Sequence, residues 1–390
     1  MRICQLTFSE GLFLQPIYLD NSSTTKPCTS SISAIEDALV NNWGNPSSLH
    51  NLGLQAEHII NNTRSSISDI LNCREDEIYF TGSGTEANNL AIIGAAESLK
   101  RRGNKIITTS VEHPSVLNTC EYLSQNGFEI TYIKPHKDGS IHASDILNAV
   151  DSKTVLITMM LVNNETGSIF PVAEVGEALK EMKSKALLHT DCVQAFGKMN
   201  IDVDELGVDL LSASGHKIHG PKGIGFLYKR KSVNLKPIIH GGNQEKGLRS
   251  GTESVPLIAG LNGAVSELKI NSNLPEIKKL HAYALEKLSQ NDGIVINSPT
   301  VKNLPYILNI SVLGYRSETL LHFLEAKNIY ISSGSACAKG KGSHVLTEMG
   351  FSLDRTDSAL RISFSRYNSL EDIDALYNAL CEAQKSLRRK

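Results

Sequence analysis

Lys217 sits in Ser-Gly-His-Lys-Ile-His-Gly-Pro-Lys-Gly, residues 214–223, between a strand-like apolar run and a glycine-rich turn. A lysine held and partly desolvated there has a lowered pKa and can form a Schiff base with a carbonyl compound. Asp191 closes another apolar run, Ala-Leu-Leu-His-Thr-Asp at 186–191, and could keep a heteroaromatic nitrogen protonated. A Schiff-base lysine and a carboxylate on a pyridine nitrogen are what pyridoxal phosphate needs, because its protonated ring stores the electron pair of a Cα carbanion. His113, in Val-Glu-His-Pro, could lie on the flat face of such a ring. Gly82, Gly84 and Thr85 stand where a strand turns into a helix, and a helix N-terminus offers N–H groups to a phosphate. Each residue has an ordinary alternative: Asp191 a helix cap, His113 a turn residue, Lys217 a surface cation, the glycines a structural turn. Their recurrence at successive strand ends argues for one site.

The elements that must position these residues follow from periodicity. Lys105–Ser110, Thr154–Val162, Ala186–Asp191 and Val208–Ser214 read as buried strands. Amphipathic helices come between them, one running from Pro114 and closed by Gly127, another carrying Val175, Leu179 and Met182 at helical spacing. Near-continuous apolar strands separated by helices predict an α/β fold, a mostly parallel sheet covered by helices on both faces. Ligands of such sheets bind at the carboxyl ends of the strands. Those ends add Asn163, Asn164, Glu165, Gln194, Ser214 and His216 to the candidates. After about Pro256 the texture changes. Helices at Pro275–Gln290, Ser317–Lys327 and Leu370–Leu387 interleave with strands at Tyr306–Val312, Asn328–Ser333 and Leu360–Ser365, which predicts a smaller α+β domain. The expected division is an extension over 1–17, a large domain over 26–257, and a small domain from 18–25 with 258–390.

The 390 residues carry a net charge of −2, with 41% hydrophobic and 21% charged residues. That balance gives no global attraction to nucleic acid or to an anionic membrane. No apolar run reaches the roughly 18 residues of a membrane span, and the first residues do not read as a signal peptide. The seven cysteines are widely spaced with no CxxC, which predicts free thiols in a reducing cytoplasm. Cys120 falls on the apolar stripe of Val116 and Leu123 and is expected in the core. Cys337 is different: it lies in SSGSACAKGKGS, a polar, glycine-rich stretch flanked by Lys339 and Lys341. The pairs His189/Cys192 and His216/His219 also permit a metal-binding scaffold, although their spacing matches no zinc pattern, and no metal is expected.

The motifs GNPSSLH (44–50), TGSGTEANNLAI (81–92), VEHPSVLNTC (111–120), LVNNETG (161–167), HTDCVQAFGK (189–198), SGHKIHGPKGIG (214–225), RSGTESVP (249–256) and SSGSAC (332–337) resemble those of the group I cysteine desulfurases. These belong to the aminotransferase class V group of fold-type I pyridoxal-phosphate enzymes. The resemblance runs from Tyr18 to about Arg366. It implies a fold-type I PLP-dependent transferase in which Lys217 is the Schiff-base lysine and Cα base, Asp191 holds the pyridine nitrogen and His113 stacks on the ring. It further implies that Gln194 bonds the phenolic oxygen, and that Gly84, Thr85, Ser214 and His216 hold the phosphate. Thr252 would reach the cofactor of the other subunit of a homodimer, while Asn164 and Arg361 would hold the carboxylate of L-cysteine. Cys337 would take the sulfur as a persulfide and pass it to an acceptor protein for iron–sulfur cluster assembly or tRNA thiolation. The residues after Cys337 and the ending SLRRK depart from the iron–sulfur members. A selenocysteine lyase or another class V enzyme is the alternative on the same fold.

Overall fold

A computed structural model describes residues 16–333 and 342–389. Its center is a seven-stranded sheet in the order Ile78–Thr81, Gly225–Lys229, Leu210–Ser214, Leu187–Asp191, Thr154–Met160, Lys105–Thr109, Glu129–Ile133. Six strands run the same way. Gly225–Lys229 alone is reversed, antiparallel to both neighbors. Successive residues feed opposite faces, as the period of two requires. Ile78, Phe80, Ile107, Ile157, Leu188, Leu211 and Phe226 join one buried cluster. Tyr79, Ile106, Leu156, Leu210 and Leu227 join the other. Helices Gly84–Leu99 and Pro114–Gln125 contribute Leu90, Ala91, Val116 and Cys120 to the second cluster, and Asn51–Leu71 and Val172–Glu181 contribute Ile67 and Val175 to the first. The sheet is therefore covered on both faces, as the unbroken apolar runs require.

A second, antiparallel sheet is ordered Ala359–Ser363, Ile307–Val312, Ile294–Ile296. Helices Ile270–Ser289 and Leu370–Ser386 pack together and supply Ile277, Leu280, Leu376 and Leu380 to the core beside it. The first of these begins upstream of the expected Pro275, which lies within its second turn. Of the expected strand Asn328–Ser333, only Ile329–Tyr330 is regular, and it pairs in parallel with Ile17–Tyr18. Asp20 bridges Ser363 just beyond, so the start of the described chain is docked on the C-terminal sheet. Helix Val255–Ser266 spans the change in texture and lies on Thr29–Asn41 and Asn51–Leu71. Its glycines make this close approach possible. A Cβ on Gly260 would come within 2.5 Å of Ile35, and one on Gly263 within 2.5 Å of Ser30. Among the described residues no helix is long and apolar enough to cross a membrane.

Candidate active site

Most of the large-sheet candidates gather at the carboxyl ends of the strands. After Ile78–Thr81 the chain turns at Gly82 and enters the helix at Gly84. The Ser83 side chain caps the helix by accepting from Glu86 N at 3.1 Å, and the Glu86 carboxylate accepts from Gly82 N at 2.9 Å. The first helical turn leaves N–H groups without partners inside the helix, so Gly84 and Thr85 present donors to the cleft. A Cβ on Gly84 would sit 2.7 Å from Val193 Cγ2 and 3.3 Å from Ser214 Cβ. Glycine therefore lets this helix end approach the ends of two other strands. Among the described residues Ser214 Oγ is buried with no hydrogen-bond partner. An orphaned hydroxyl beside a helix N-terminus is suited to an anion.

Lys217 follows Ser214 through a single turn, Gly215–Lys217. Its Nζ donates to Ser22 O at 2.5 Å and Ser23 O at 2.7 Å. Burial lowers its pKa to about 8, reinforced by Arg361 and opposed by Asp20 and Asp191. Gln194 Nε2 donates to the same Ser22 carbonyl at 2.9 Å. Asp191 is buried. It accepts from Asn88 Nδ2 at 2.7 Å and from Val193 N at 2.8 Å. Asn88 Nδ2 also donates to Ser115 Oγ at 2.9 Å, and that hydroxyl lies 2.8 Å from His113 Nδ1. His113 is the cap of helix Pro114–Gln125, its Nδ1 accepting from Ser115 N at 3.1 Å. Nδ1 is thus occupied as an acceptor, and the neutral ring carries its proton on Nε2. Desolvation lowers the His113 pKa. Asp191 opposes that shift and Lys217 adds to it. The imidazole is otherwise exposed, leaving its surface open to the cleft.

The other wall comes from the small sheet. Arg361 is buried in mid-strand. Its Nη2 pairs with Asp20 Oδ1 at 2.9 Å, its Nη1 donates to Asn164 O at 3.1 Å, and its Nε is buried without a partner among the described residues. Cys337 lies outside the described residues, but the segments flanking it are anchored here. Ser332 exchanges backbone hydrogen bonds with Arg361 at 3.2 and 2.6 Å. Ser343 Oγ donates to Glu165, and His344 Nε2 donates to Ser110 O at 2.7 Å. The Glu165 carboxyl is buried and its pKa is raised to about 7 by desolvation, against Ser343, Arg361 and His344.

Several candidates stand apart from this cluster. Thr252 is exposed, on a loop tied to the glycine turn by Arg249 Nε on Glu86 Oε1 at 2.8 Å. His216 Nδ1 meets Thr24 Oγ1 at 3.2 Å. The two proposed metal pairs do not converge. Both nitrogens of His189 are committed, to Thr158 Oγ1 at 2.8 Å and Ser212 Oγ at 3.0 Å, and His219 Nδ1 faces Lys26 O. Sequence reasoning missed four polar residues of the site: Asn88, Ser115, Glu112 and Lys198. Glu112 is buried and accepts from Thr109 Oγ1 at 2.7 Å and from Met160 N. Their signal was a polar side chain on an otherwise apolar face, as with Asn88 between Ala87 and Leu90.

Comparison with known proteins agrees with this geometry. The family model described as Aminotransferase class-V matches residues 17–376. The chain is 41% identical over 377 residues to "Cysteine desulfurase IscS" of Methanosarcina thermophila, covering 95% of this chain and 93% of that one. The solved structure "NIFS-LIKE PROTEIN" superposes with a TM-score of 0.90 at 34% identity, over 96% of this chain and 100% of the other. "SspA in complex with cysteine" superposes with a TM-score of 0.80 at 36% identity, over 90% and 99%. A family model spanning nearly the whole chain, with relatives of this identity and coverage, places the protein in the aminotransferase class-V family.

Proposed function

We propose that this chain is a cysteine desulfurase. It takes sulfur from L-cysteine with pyridoxal phosphate, leaving L-alanine and a persulfide on Cys337. The observation that carries the reading is the Lys217 amine. It is buried at a strand end and depressed to about 8, with Asp191 and Arg361 acting on it electrostatically and Gln194 sharing its acceptor, Ser22 O. The residues present fit the cofactor. Among the described residues Ser214 Oγ is an unpaired buried donor and Arg361 keeps an unpaired buried N–H, while Gly84 removes the Cβ that would close the approach. Gly84, Thr85, Ser214 and His216 would hold the phosphate, Asp191 the ring nitrogen, Gln194 the phenolic oxygen and Lys217 the carbonyl carbon. When bound, pyridoxal phosphate supplies a protonated ring that draws off the electron pair released at the substrate Cα and so weakens the Cβ–Sγ bond.

The protein's own part follows from its geometry. Arg361 and Asn164 orient the substrate carboxylate, a task suited to a planar guanidinium. Lys217 takes the Cα proton. With a pKa of about 8, an amine is unprotonated about a tenth of the time at pH 7, against about four in ten thousand at the ordinary 10.4. His113, protonated at Nε2, stands ready to hand that proton to the substrate. Cys337 as thiolate attacks Sγ. The S–S bond forms, the C–S bond breaks, and the three-carbon remainder takes up protons to leave as L-alanine. L-Cysteine and the Cys337 thiol thus become L-alanine and a Cys337 persulfide with no external oxidant. An acceptor thiol then attacks the persulfide. The acceptor would be a protein of iron–sulfur assembly or tRNA thiolation.

The working unit in this reading is a homodimer, with Thr252 reaching the partner's cofactor. Exposed apolar residues support it: Leu39, Val40, Trp43, Leu49 and Leu54 are all exposed within residues 39–54. The division into a large domain over 26–257 and a small one from 18–25 with 258–390 belongs to the same reading, supported by the docking of Ile17–Tyr18 and Asp20 on C-terminal strands. The test is direct. The chain is loaded with pyridoxal phosphate, given L-cysteine, and assayed for alanine and for persulfide on Cys337. A keto acid in place of alanine, or no visible band fixed to Lys217 by borohydride, would sink the proposal.

A further inference from the structure

Lys198 is a buried lysine, 6% exposed, seven residues past Asp191. Among the described residues it pairs with no carboxylate. The one hydrogen bond of its ammonium goes to Gln194 Oε1 at 3.0 Å, and the ring of Tyr306 lies 5.7 Å away. A buried ammonium without a counterion is a poor packing element; methionine of similar volume would fill the space without that cost. The turn that brings the two side chains together is tightly held. Lys198 N donates to Ala195 O, and Gly197 has φ +74 where a Cβ would come within 2.8 Å of Ile218 Cγ2 and 2.9 Å of Leu268 Cδ2.

We infer that Lys198 is the positioning residue that fixes the orientation of the Gln194 amide, so that the NH2 end and not the oxygen faces the ligand beside Lys217. In its ammonium form Lys198 only donates, which pins oxygen as the amide atom facing it, and its neutral amine, populated above about pH 7, keeps two N–H donors for the same oxygen. At the other end the Ser22 carbonyl only accepts, so the atom facing it, at 2.9 Å, must be nitrogen. Lys217 Nζ lies on the same carbonyl at 2.5 Å. The Gln194 NH2 and the Lys217 nitrogen therefore converge on one point, where an oxygen carried next to the Lys217 adduct would be met by a donor. Without Lys198 only the Ser22 carbonyl would oppose the amide's turning over to present its oxygen, which repels such a ligand. The lowering of the Lys198 pKa to about 7, by burial first and then by Lys217 and Arg361, agrees with an amine enclosed in this cationic corner.

The inference rests on the cofactor reading above, and two measurements separate the fates of the two. Cofactor-free chains carrying Lys198→Met, Gln194→Ala or both are titrated with pyridoxal phosphate, following the visible band. Lys198→Met should weaken binding about tenfold, the value of one hydrogen bond, and shift the band in the same direction as Gln194→Ala. The double variant should be no worse than Gln194→Ala alone. Independent, additive losses would overturn the proposal, as would a wild-type band and affinity in Lys198→Met. The second measurement needs no cofactor. Gln194→Ala strands a buried ammonium, so adding Lys198→Met should raise the melting temperature of that variant by about 2 °C or more. Equal lowering of the melting temperature by Lys198→Met in both backgrounds would mark Lys198 as packing alone. A chain that takes up no cofactor but passes the melting test would refute the cofactor reading and leave the Lys198–Gln194 coupling standing.

Discussion

The two walls of the cleft are built differently. On the large-sheet wall Gly84, His113, Asn164, Asp191, Ser214 and Lys217 each lie within four residues of a strand's carboxyl end, where the backbone must turn and side chains must face outward. On the small-sheet wall Arg361 sits in the middle of Ala359–Ser363, opposite Asn309, and its partners Asp20 and Asn164 are 341 and 197 residues away. The first wall is assembled by local chain geometry on a rigid sheet. The second exists only while the docked N-terminal segment, the turn at 163–167 and a C-terminal strand meet. Damage to the first should strike the chemistry of bound substrate. Damage to the second should strike substrate capture and the mounting of the Cys337 segment.

The largest effect is expected on the first wall. In the proposed reading Lys217→Ala removes both the Schiff-base amine and the Cα base, so alanine production should fall by about a thousandfold or more with the fold intact by circular dichroism. Turnover near wild type would dissolve the contrast. Cys337→Ser should be nearly as severe in alanine release, because a serine hydroxyl cannot form a persulfide, yet its visible spectrum should still respond to L-cysteine. Wild-type alanine release there, with Cys192→Ser inactive, would move the sulfur to Cys192. That outcome is not expected, since the Cys192 thiol is fully buried and burial beside Asp191 holds its pKa well above the ordinary value.

On the second wall Arg361→Ala should raise KM for cysteine far more than it lowers kcat. Loss of a buried carboxylate contact costs about 2–5 kcal/mol, or about 30- to several-thousandfold. An unchanged KM with a lowered melting temperature would reduce Arg361 to the structural partner of Asp20. The smallest effect is one of pH. The Glu165 carboxyl has its pKa raised to about 7 in the folded chain, above the unfolded value near 4.3. Between those values the folded state binds the extra proton. Its contribution is therefore full below about pH 4 and is lost as pH rises through about 7. Glu165→Gln should remove that slope, so that its stability to urea falls by about 2 kcal/mol less than that of wild type between pH 5 and 7. Parallel curves for the two proteins would show that the Glu165 carboxyl does not titrate differently in the folded and unfolded chain.

The same contrast explains what could be read from the chain. Strand ends announce themselves, since an apolar run that stops at a glycine or a polar cluster marks both the edge of the sheet and the place where ligands bind. Asp191, Lys217 and the Gly82–Thr85 turn were legible for that reason. The residues that support them were not. Asn88 holds Asp191 from a helix 103 residues earlier, and Ser22 and Ser23 hold Lys217 through carbonyl oxygens that carry no side-chain signature. Nothing in the sequence sets Lys198 apart from the other lysines of the chain; only its buried surroundings do.

By itself the amino-acid sequence determined most of the large-sheet strands and the helices between them, though not Glu129–Ile133 or Gly225–Lys229, together with the alternation of faces that buries the sheet and the turn chemistry at strand ends. These are local: they depend on the period of two, on caps such as Ser83 and His113, and on glycines that alone fit the close approach at Gly84. Only the tertiary structure decided that Arg361 reaches Asp20 and Asn164, that the flanks of Cys337 end on Arg361 and Glu165, and that Lys198 faces the oxygen of Gln194. The physical reason is that burial and electrostatic environment are properties of everything packed around a group. A lysine has the same intrinsic pKa at positions 198, 217 and 339. Only the neighbors brought in from elsewhere on the chain lower it to about 7 at the first and about 8 at the second.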